Sequence, residues 1–207
     1  MTPFIIGVAG GSGSGKSTLA FSLQDKFQDN VLIFHIDDYF KPEKEVPTKS
    51  GLVNWDDPGA LYSQKMAQDL ALLKSGKPVT IHTKSPRFNP NFLKTGERIP
   101  VEFTPKPLIV VEGFLALHYP EIRTLCDISI YLDAPFELRS KRRVHGKLHN
   151  FSAAYDELIL QPMHEQYVEP SKQHADIVLD IAELTQNEVL SKVIDMLPAE
   201  VTTVLKP

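Results

Sequence analysis

The chain has 207 residues, 42% of them hydrophobic, so it can bury one substantial core, and we expect a single domain over residues 1–207. A formal net charge of -4 argues against a general nucleic-acid or membrane-surface binder and favours a small-molecule partner. The single cysteine, Cys126, excludes an internal disulfide, and none of the seven histidines has zinc-ligand spacing, so none is assigned a role.

The first predicted strand, Phe4 to Val8, leads into a glycine-rich loop. This apolar run is too short for a signal peptide or a membrane span, so we expect a cytoplasmic protein. Residues 10–17 match the phosphate-binding pattern G-x-x-x-x-G-K-[ST], and a helix pattern follows. Backbone N–H groups of such a loop converge on an anion. The loop predicts a site for ATP in which Lys16 reaches the β- and γ-phosphates and Ser17 binds Mg²⁺. The predicted nucleotide-binding residues here are Gly10, Gly11, Ser12, Gly13, Ser14, Gly15, Lys16, Ser17 and Thr18.

The next elements alternate between strand and helix patterns. A short apolar run, Val31 to Ile36, predicts a second buried strand. Asp57 and Pro58 predict the start of a helix that ends at Gly76. Its inward face would carry Tyr62, Met66, Leu70 and Leu73. Residues 77–107 mix proline, glycine and charge around one short alternating run, which predicts an inserted hairpin on the substrate side.

The second half of the chain continues this alternation. Strands are predicted at Leu108 to Val111, Ile128 to Leu132 and Ile177 to Leu179; helices follow Pro135, run from Ser152 to Gln161 with an interruption at Pro162, and open at a Thr185–Glu188 capping box. Strands that alternate with helices indicate a doubly wound parallel α/β sheet of five strands with helices on both faces. In such sheets ligands bind at the carboxyl ends of the strands.

That rule gathers carboxylates that are far apart in sequence. Asp37 and Asp38 follow the second strand, and Glu112 follows the third. Phosphoryl transfer needs a metal held against the phosphates and a group that orients or deprotonates the acceptor hydroxyl. We assign Asp37 as the general base and Glu112 to the Mg²⁺ shell, directly or through water. The alternative is that Asp37 is chiefly a metal ligand, with Asp38 the next candidate for the base.

A basic segment follows the fourth strand. Arg139 and Arg143 lie four residues apart on a predicted helix, so both could face the triphosphate. We expect Lys141 to be a bystander, and residues 139–151 to form a lid. A solvated helix face is the alternative interpretation of these charges.

Six segments follow one another along the chain: the phosphate loop, Ile-Asp-Asp-Tyr-Phe at 36–40, Asn-Trp-Asp-Asp-Pro at 54–58, Val-Glu-Gly at 111–113, the Arg pair at 142–143 and the segment 168–178. In this order they resemble the uridine kinase family of P-loop kinases. The resemblance implies a P-loop kinase fold and an Asp37 that activates a ribose hydroxyl. It also implies Asp56 as a substrate ligand, Trp55 as a wall for the base, Tyr39 at the substrate and Arg142 in catalysis.

Two segments depart from the family pattern. Residues 81–88 lack the Tyr-Asp-aromatic stretch and histidine with which uridine kinases read the pyrimidine, and Lys84, Arg87 and Arg98 stand in this hairpin instead. These cations favour a more polar or anionic acceptor, with Arg87 as a substrate-binding candidate; solvated loop charges explain them equally well. Residues 144–150 shorten the Arg-rich lid.

The sequence therefore predicts an ATP- and Mg²⁺-dependent kinase for a hydroxyl of a small ribose-like metabolite. Nicotinamide riboside, ribulose phosphate or a similar compound is the alternative acceptor, and a weakly catalytic regulatory relative is the alternative role. A GTPase-like switch has only Asp56 to Gly59 as a D-x-x-G match and no Asn-Lys-x-Asp signature. The sequence leaves a homo-oligomer open.

Overall fold

The computed structural model describes residues 2–145 and 153–205. The strands in chain order are β1 (Phe4–Ala9), β2 (Val31–His35), β3 (Thr48–Lys49), β4 (Leu52–Val53), β5 (Val79–Thr83), β6 (Ile99–Phe103), β7 (Leu108–Glu112), β8 (Ile128–Asp133) and β9 (Ile177–Asp180). The α-helices are α1 (Lys16–Phe27), α2 (Ser63–Lys74), α3 (Phe92–Thr95), α4 (Pro120–Arg123), α5 (Phe136–His145), α6 (Ala153–Tyr155), α7 (Gln161–Met163), α8 (Gln186–Asp195) and α9 (Ala199–Val204).

Five parallel strands form the central sheet in the order β2-β7-β1-β8-β9, which confirms the predicted fold class. The strands are apolar almost throughout because both faces of the sheet are covered. Successive residues of β1 show this, since Ile5 packs in one core cluster with α2 and Ile6 packs in another with α1 and α8. The chain leaves β1 toward β2 on one side and later fills β8 and β9 on the other. The loop after β1 therefore lies where the strand order reverses, the position at which such sheets bind ligands.

The inserted segment 77–107 contains an antiparallel hairpin of β5 and β6, paired from Val79 with Phe103 to Thr83 with Ile99. Arg98 fastens this hairpin to the end of β2. Its guanidinium donates to the backbone carbonyls of Asp37, Asp38 and Phe40, each at 3.1 Å. The hairpin is thereby fixed next to the carboxyl edge of the sheet.

The predicted start of the second helix, at Asp57 and Pro58, is wrong. The Asp57 carboxylate accepts from the Gly59 N–H at 2.7 Å and caps only a 3-10 turn, Pro58–Ala60, and α2 begins at Ser63. Tyr62 therefore lies outside the helix, 41% exposed, with its hydroxyl donated to Glu45 at 2.8 Å. The rest of the predicted inward face, Met66, Leu70 and Leu73, is fully buried.

The predicted interruption at Pro162 is also wrong. The helical path runs from Ala153 to His174 and passes through Pro162 inside α7. Wide π-type turns flank α7 at Asp156–Leu160 and His164–Val168, and such turns accommodate a residue that has no N–H to donate. Ser152, where this helix was expected to begin, lies outside the described residues, as does part of the expected lid.

The Thr185–Glu188 capping box is confirmed, with both reciprocal hydrogen bonds present at the start of α8. It fixes the entry of α8 beside the end of β9. Within residues 2–145 and 153–205, no helix has the length and apolar character needed to cross a membrane.

Candidate active site

A cavity of about 650 Å³ opens at the carboxyl edge of the sheet, in the size range of small-molecule sites. The phosphate loop forms one wall, and Asp37 and Glu112 line the same space. Residues of this loop that line it are Ser12, Gly13, Ser14, Gly15, Lys16, Ser17 and Thr18. Gly10 and Gly11, also predicted to bind nucleotide, are not among its lining residues.

The loop conformation requires glycine at position 13. Gly13 has φ of 86°, and a Cβ atom there would collide with the backbone carbonyl of Arg139. Lys16 follows at the start of α1, with its ammonium group turned back to donate to the Gly11 carbonyl at 3.0 Å. Burial lowers the pKa of Lys16, with Glu112 and Asp37 acting in the opposite direction. The Lys16 side chain thus lies inside the loop that encloses the predicted phosphate position.

Glu112 links the end of β7 to the phosphate loop. Its Oε2 accepts from the Ser17 hydroxyl at 3.1 Å, and its Oε1 accepts from the Nδ1 of His35 at 2.6 Å. Burial of the His35 imidazole opposes its charged form, but the hydrogen bond and negative charge of Glu112 prevail and raise the pKa of His35. Sequence reasoning left His35 without a role, although its position one strand away from Glu112 was a usable signal.

Asp37 lies on the cavity wall with its side chain 41% exposed. Lys84 from the hairpin places its ammonium group 3.2 Å from Asp37 Oδ2. Partial burial opposes ionisation, but the lysine charge outweighs it and lowers the pKa of Asp37. Asp38 points elsewhere: its two oxygens accept from the Thr83 hydroxyl at 2.6 Å and the Lys84 N–H at 2.8 Å. Asp38 is therefore engaged in holding the hairpin, which leaves Asp37 as the carboxylate on the cavity.

Asp56 and Trp55 meet the helical segment that follows the expected lid. The Tyr155 hydroxyl donates to Asp56 Oδ2 at 2.7 Å and accepts from the Trp55 N–H at 3.1 Å. The Trp55 ring lies edge-on to Phe40 at 5.5 Å, and Phe40 stacks on Phe114, a residue of the cavity wall, at 6.4 Å. This aromatic row connects the predicted substrate segment to the cavity.

The structure does not bring the whole basic segment to the cavity. Arg142 lines it, and so does Lys141, which the sequence placed as a bystander. Arg139 is buried beneath the phosphate loop, with Nε donated to the Ala134 carbonyl at 3.0 Å and the guanidinium packed against Gly11. Arg143 is also buried and pairs with Asp156 at 2.9 Å. The two arginines do share a helix face, but that face is covered by protein. Residues 146–151 of the expected lid lie outside the described part of the chain.

Two further predicted substrate residues lie away from the cavity. Tyr39 is buried, and its hydroxyl donates to Asp69 of α2 at 2.9 Å. Arg87 is exposed and pairs with Asp25 of α1 at 2.5 Å, with its guanidinium over the Phe21 ring. Neither side chain is among those that line the cavity.

Part of the cavity wall is apolar and was missed by sequence reasoning. Ile181, Leu184 and Val189 line it together with the amide of Gln186. These residues follow β9 and open α8, so the end of the last strand at the ligand edge was the signal that could have found them. An apolar wall with a single amide, in the same cavity as a phosphate loop, suits a planar base.

Comparison with known proteins assigns this architecture. Residues 5–188 match the model of the phosphoribulokinase/uridine kinase family. The chain belongs to that family. Across 219 residues it is 35% identical to a uridine kinase of Geobacillus kaustophilus, which covers 99% of this chain and 96% of the relative. It is 36% identical to a uridine kinase of Bacillus cytotoxicus, at 99% and 95% coverage.

Solved structures of this kinase family share the fold. A possible uridine kinase from Bacillus stearothermophilus superposes with a TM-score of 0.62 at 19% identity, covering 87% of this chain and 90% of that one. Phosphoribulokinase from Rhodobacter spheroides gives a TM-score of 0.62 at 12% identity, covering 86% and 70%. These likenesses support the P-loop kinase fold.

The donor set suits Mg²⁺, which kinases of this family generally use with ATP. Ser17 and Glu112 offer hard oxygen atoms 3.1 Å apart next to the phosphate loop, and Asp37 adds a carboxylate on the same cavity. Among the described residues there is no cluster of three or more His, Cys, Asp and Glu side chains arranged to hold a metal alone. That combination fits an ion that keeps waters and binds mainly together with substrate phosphates.

The substitution Asp56→Asn tests whether the buried Asp56 carboxyl has a raised pKa, through the pH dependence of stability. Burial raises the pKa of Asp56 to about 6, against the Tyr155 hydrogen bond. The native state therefore holds its proton more tightly than the unfolded chain, so this stabilisation is full below about pH 4 and lost as the pH rises through 6. Asparagine does not titrate. We expect the unfolding free energy of the variant, relative to wild type, to rise on the order of 1 kcal/mol from pH 4.5 to pH 7.5 in urea titrations. If the difference in unfolding free energy between the variant and wild type does not change with pH, the raised pKa of Asp56 is contradicted.

Proposed function

We propose that this protein transfers the γ-phosphoryl group of ATP, bound with Mg²⁺, to a hydroxyl group of a small ribose-like metabolite. One observation carries the proposal: the phosphate loop, Asp37 and Glu112 line a single cavity that also has an apolar wall. A nucleotide bound with its base on the apolar wall would present its phosphates to the loop and the two carboxylates.

The nucleotide side of the reaction rests on three side chains. Lys16 carries positive charge to the β- and γ-phosphate oxygens, where negative charge moves during transfer. When bound, Mg²⁺ would supply positive charge that offsets the negative charge of the phosphates. Ser17 and Glu112 are the residues that would hold the ion beside the loop. Arg142 and Lys141, which also line the cavity, add positive charge toward the triphosphate.

The acceptor side rests on Asp37. Its carboxylate lies on the cavity and Lys84 keeps it ionised, so it can accept a hydrogen bond from the acceptor hydroxyl and aim that oxygen at the γ-phosphorus. In a loose transition state the hydroxyl proton leaves late, so orientation and late acceptance of the proton are what this carboxylate contributes. Asp56 and Trp55, at the end of the aromatic row, are the residues we expect to hold the rest of the acceptor.

Lys84 supports an acceptor that carries a negative group. Its ammonium group stands 3.2 Å from Asp37, 31% exposed, and 5.6 Å from the centre of the Phe40 ring. When an acceptor hydroxyl engages Asp37, Lys84 has a charge free to bind a carboxylate or phosphate on the same molecule. Arg87 and Arg98 of the same hairpin are engaged with Asp25 and with backbone carbonyls, so this argument rests on Lys84.

Lys16→Ala tests the phosphate loop. We expect the melting temperature to stay near that of wild type and kcat for ADP release to fall by ~100-fold or more, because charge that acts on the transition state is lost. Lys26→Ala removes an exposed lysine from the same helix and is the matched control. Near-normal turnover in Lys16→Ala would refute the assigned role of the loop.

Asp37→Asn separates binding from chemistry. We expect the affinity for ADP with Mg²⁺, measured by calorimetry, to stay within a few fold while kcat falls by ~100-fold or more. If the affinity for the metal–nucleotide complex collapses and substantial turnover remains, Asp37 acts chiefly as a metal ligand.

The acceptor is tested with matched pairs that differ only in a carboxylate: uridine with orotidine, and nicotinamide riboside with nicotinate riboside. We expect uridine and cytidine to be poor acceptors and kcat/KM to favour the anionic partner of a pair by about tenfold, the worth of one charge-assisted contact. Lys84→Met should abolish that preference, and Lys94→Met, at an exposed lysine of the same hairpin, should keep it. Uridine or cytidine winning open competition would overturn this specificity.

A further inference from the structure

His35 is a buried histidine at the end of β2, and its ring makes one directed contact. Nδ1 lies 2.6 Å from Oε1 of Glu112, and because a carboxylate only accepts, the ring nitrogen donates. Within the part of the chain that the structure describes, Nε2 is buried and has no hydrogen-bond partner. The one hydrogen bond that the ring makes among the described residues is therefore to the carboxylate that faces Ser17.

The backbone explains how the two side chains meet. His35 pairs in register with Glu112 across the parallel β2–β7 ladder, so both side chains leave the same face of the sheet at the same level. The preceding four residues of β2 are all apolar and buried. An apolar residue would fill position 35 without leaving a buried nitrogen unpartnered, which carries a cost, so packing alone does not account for histidine there.

The ring is also held from outside. Phe21 of α1 packs against it at 5.8 Å with an interplanar angle of 54°. Arg87 covers the outer face of Phe21 at 5.1 Å and is fixed by its ion pair with Asp25. Arg87 of the hairpin thus lies at the outer end of a row of contacts that runs through the Phe21 ring to the His35 ring.

We propose that His35 is a positioning residue for the metal-facing carboxylate. By occupying Oε1 of Glu112, it turns Oε2 toward Ser17 and the cavity, where a divalent cation bound with nucleotide phosphates would meet it. This inference rests on the proposed function, because it assigns the pair Ser17–Glu112 to Mg²⁺. Residues that orient a metal-binding group typically change metal affinity or activity by about 10- to 100-fold when lost.

The variants are chosen by where they can place a donor. His35→Asn puts an amide nitrogen near the position of Nδ1, and His35→Gln places its amide nearer that of Nε2. His35→Leu keeps an apolar side chain with no donor. Ile122→Ala, at a fully buried residue of α4 that does not line the cavity, is the control for lost stability.

Calorimetry of ADP binding with and without saturating Mg²⁺ gives the metal-linked gain in affinity, a quantity independent of turnover. We expect His35→Leu and His35→Gln to lose about tenfold of this gain and to need about tenfold more Mg²⁺ for half-maximal ADP release. His35→Asn should stay within about threefold of wild type. Ile122→Ala should lower the melting temperature and leave the gain unchanged.

If His35→Leu, or His35→Gln where the leucine variant does not fold, lowers the melting temperature but keeps the wild-type gain, His35 is structural and the inference is overturned. Equal losses in the asparagine and glutamine variants overturn it as well. A wild-type protein whose ADP affinity is indifferent to Mg²⁺ would instead overturn the proposed function, and this inference with it.

Discussion

The parallel register of three central strands determines where the chemistry of this protein is located. Leu108 of β7 pairs with Phe4 of β1 on one side and with Val31 of β2 on the other. Counting along the ladders from that level, Glu112 meets Val8 and His35. The glycine loop, Glu112 and Asp37 therefore lie near one another at one edge of the sheet. A shift of one residue in β7 would turn Glu112 to the opposite face and remove it from the loop.

What could be read from the sequence is local in character. The phosphate loop, the five strands and the Thr185 capping box each depend on residues that are near neighbours in the chain, and all three are found in the structure. Glu112 and Asp37 could also be brought to one crevice, since the carboxyl ends of parallel strands share an edge. The contacts of the Tyr39 and Arg87 side chains could not be predicted, because their partners, Asp69 and Asp25, lie in other elements that no local pattern identifies. The helix through Pro162 could not be predicted for a related reason: Ile159, Leu160 and Met163 of this segment pack with Trp55 and Phe136, which lie elsewhere in the chain.

The arginine and lysine side chains show most clearly the difference between features that local sequence determines and contacts that depend on distant partners. Five donors on a planar guanidinium can be satisfied by backbone carbonyls as well as by phosphate, and Arg98 and Arg139 use carbonyl groups in this way. A basic run therefore predicts that some positive charge reaches a phosphate site without identifying which side chain brings it. The helix face of α5 that carries Arg139 and Arg143 is covered by the phosphate loop and by Asp156, so the neighbouring positions 141 and 142 are the ones left on the cavity.

The position of Trp55 gives this enzyme family member a built-in optical signal. The chain has one tryptophan, and its indole stands edge-on to Phe40, which stacks in turn on Phe114 of the cavity wall. Its backbone N–H is tied to Tyr155, on the segment beyond α5. Any emission from indole therefore originates beside the row of aromatic rings that leads through Phe40 to Phe114 on the cavity wall. Intensity, wavelength and quenching by added acrylamide each report the environment of that one ring, so a change at this position can be followed on the unlabelled protein in a stopped-flow instrument.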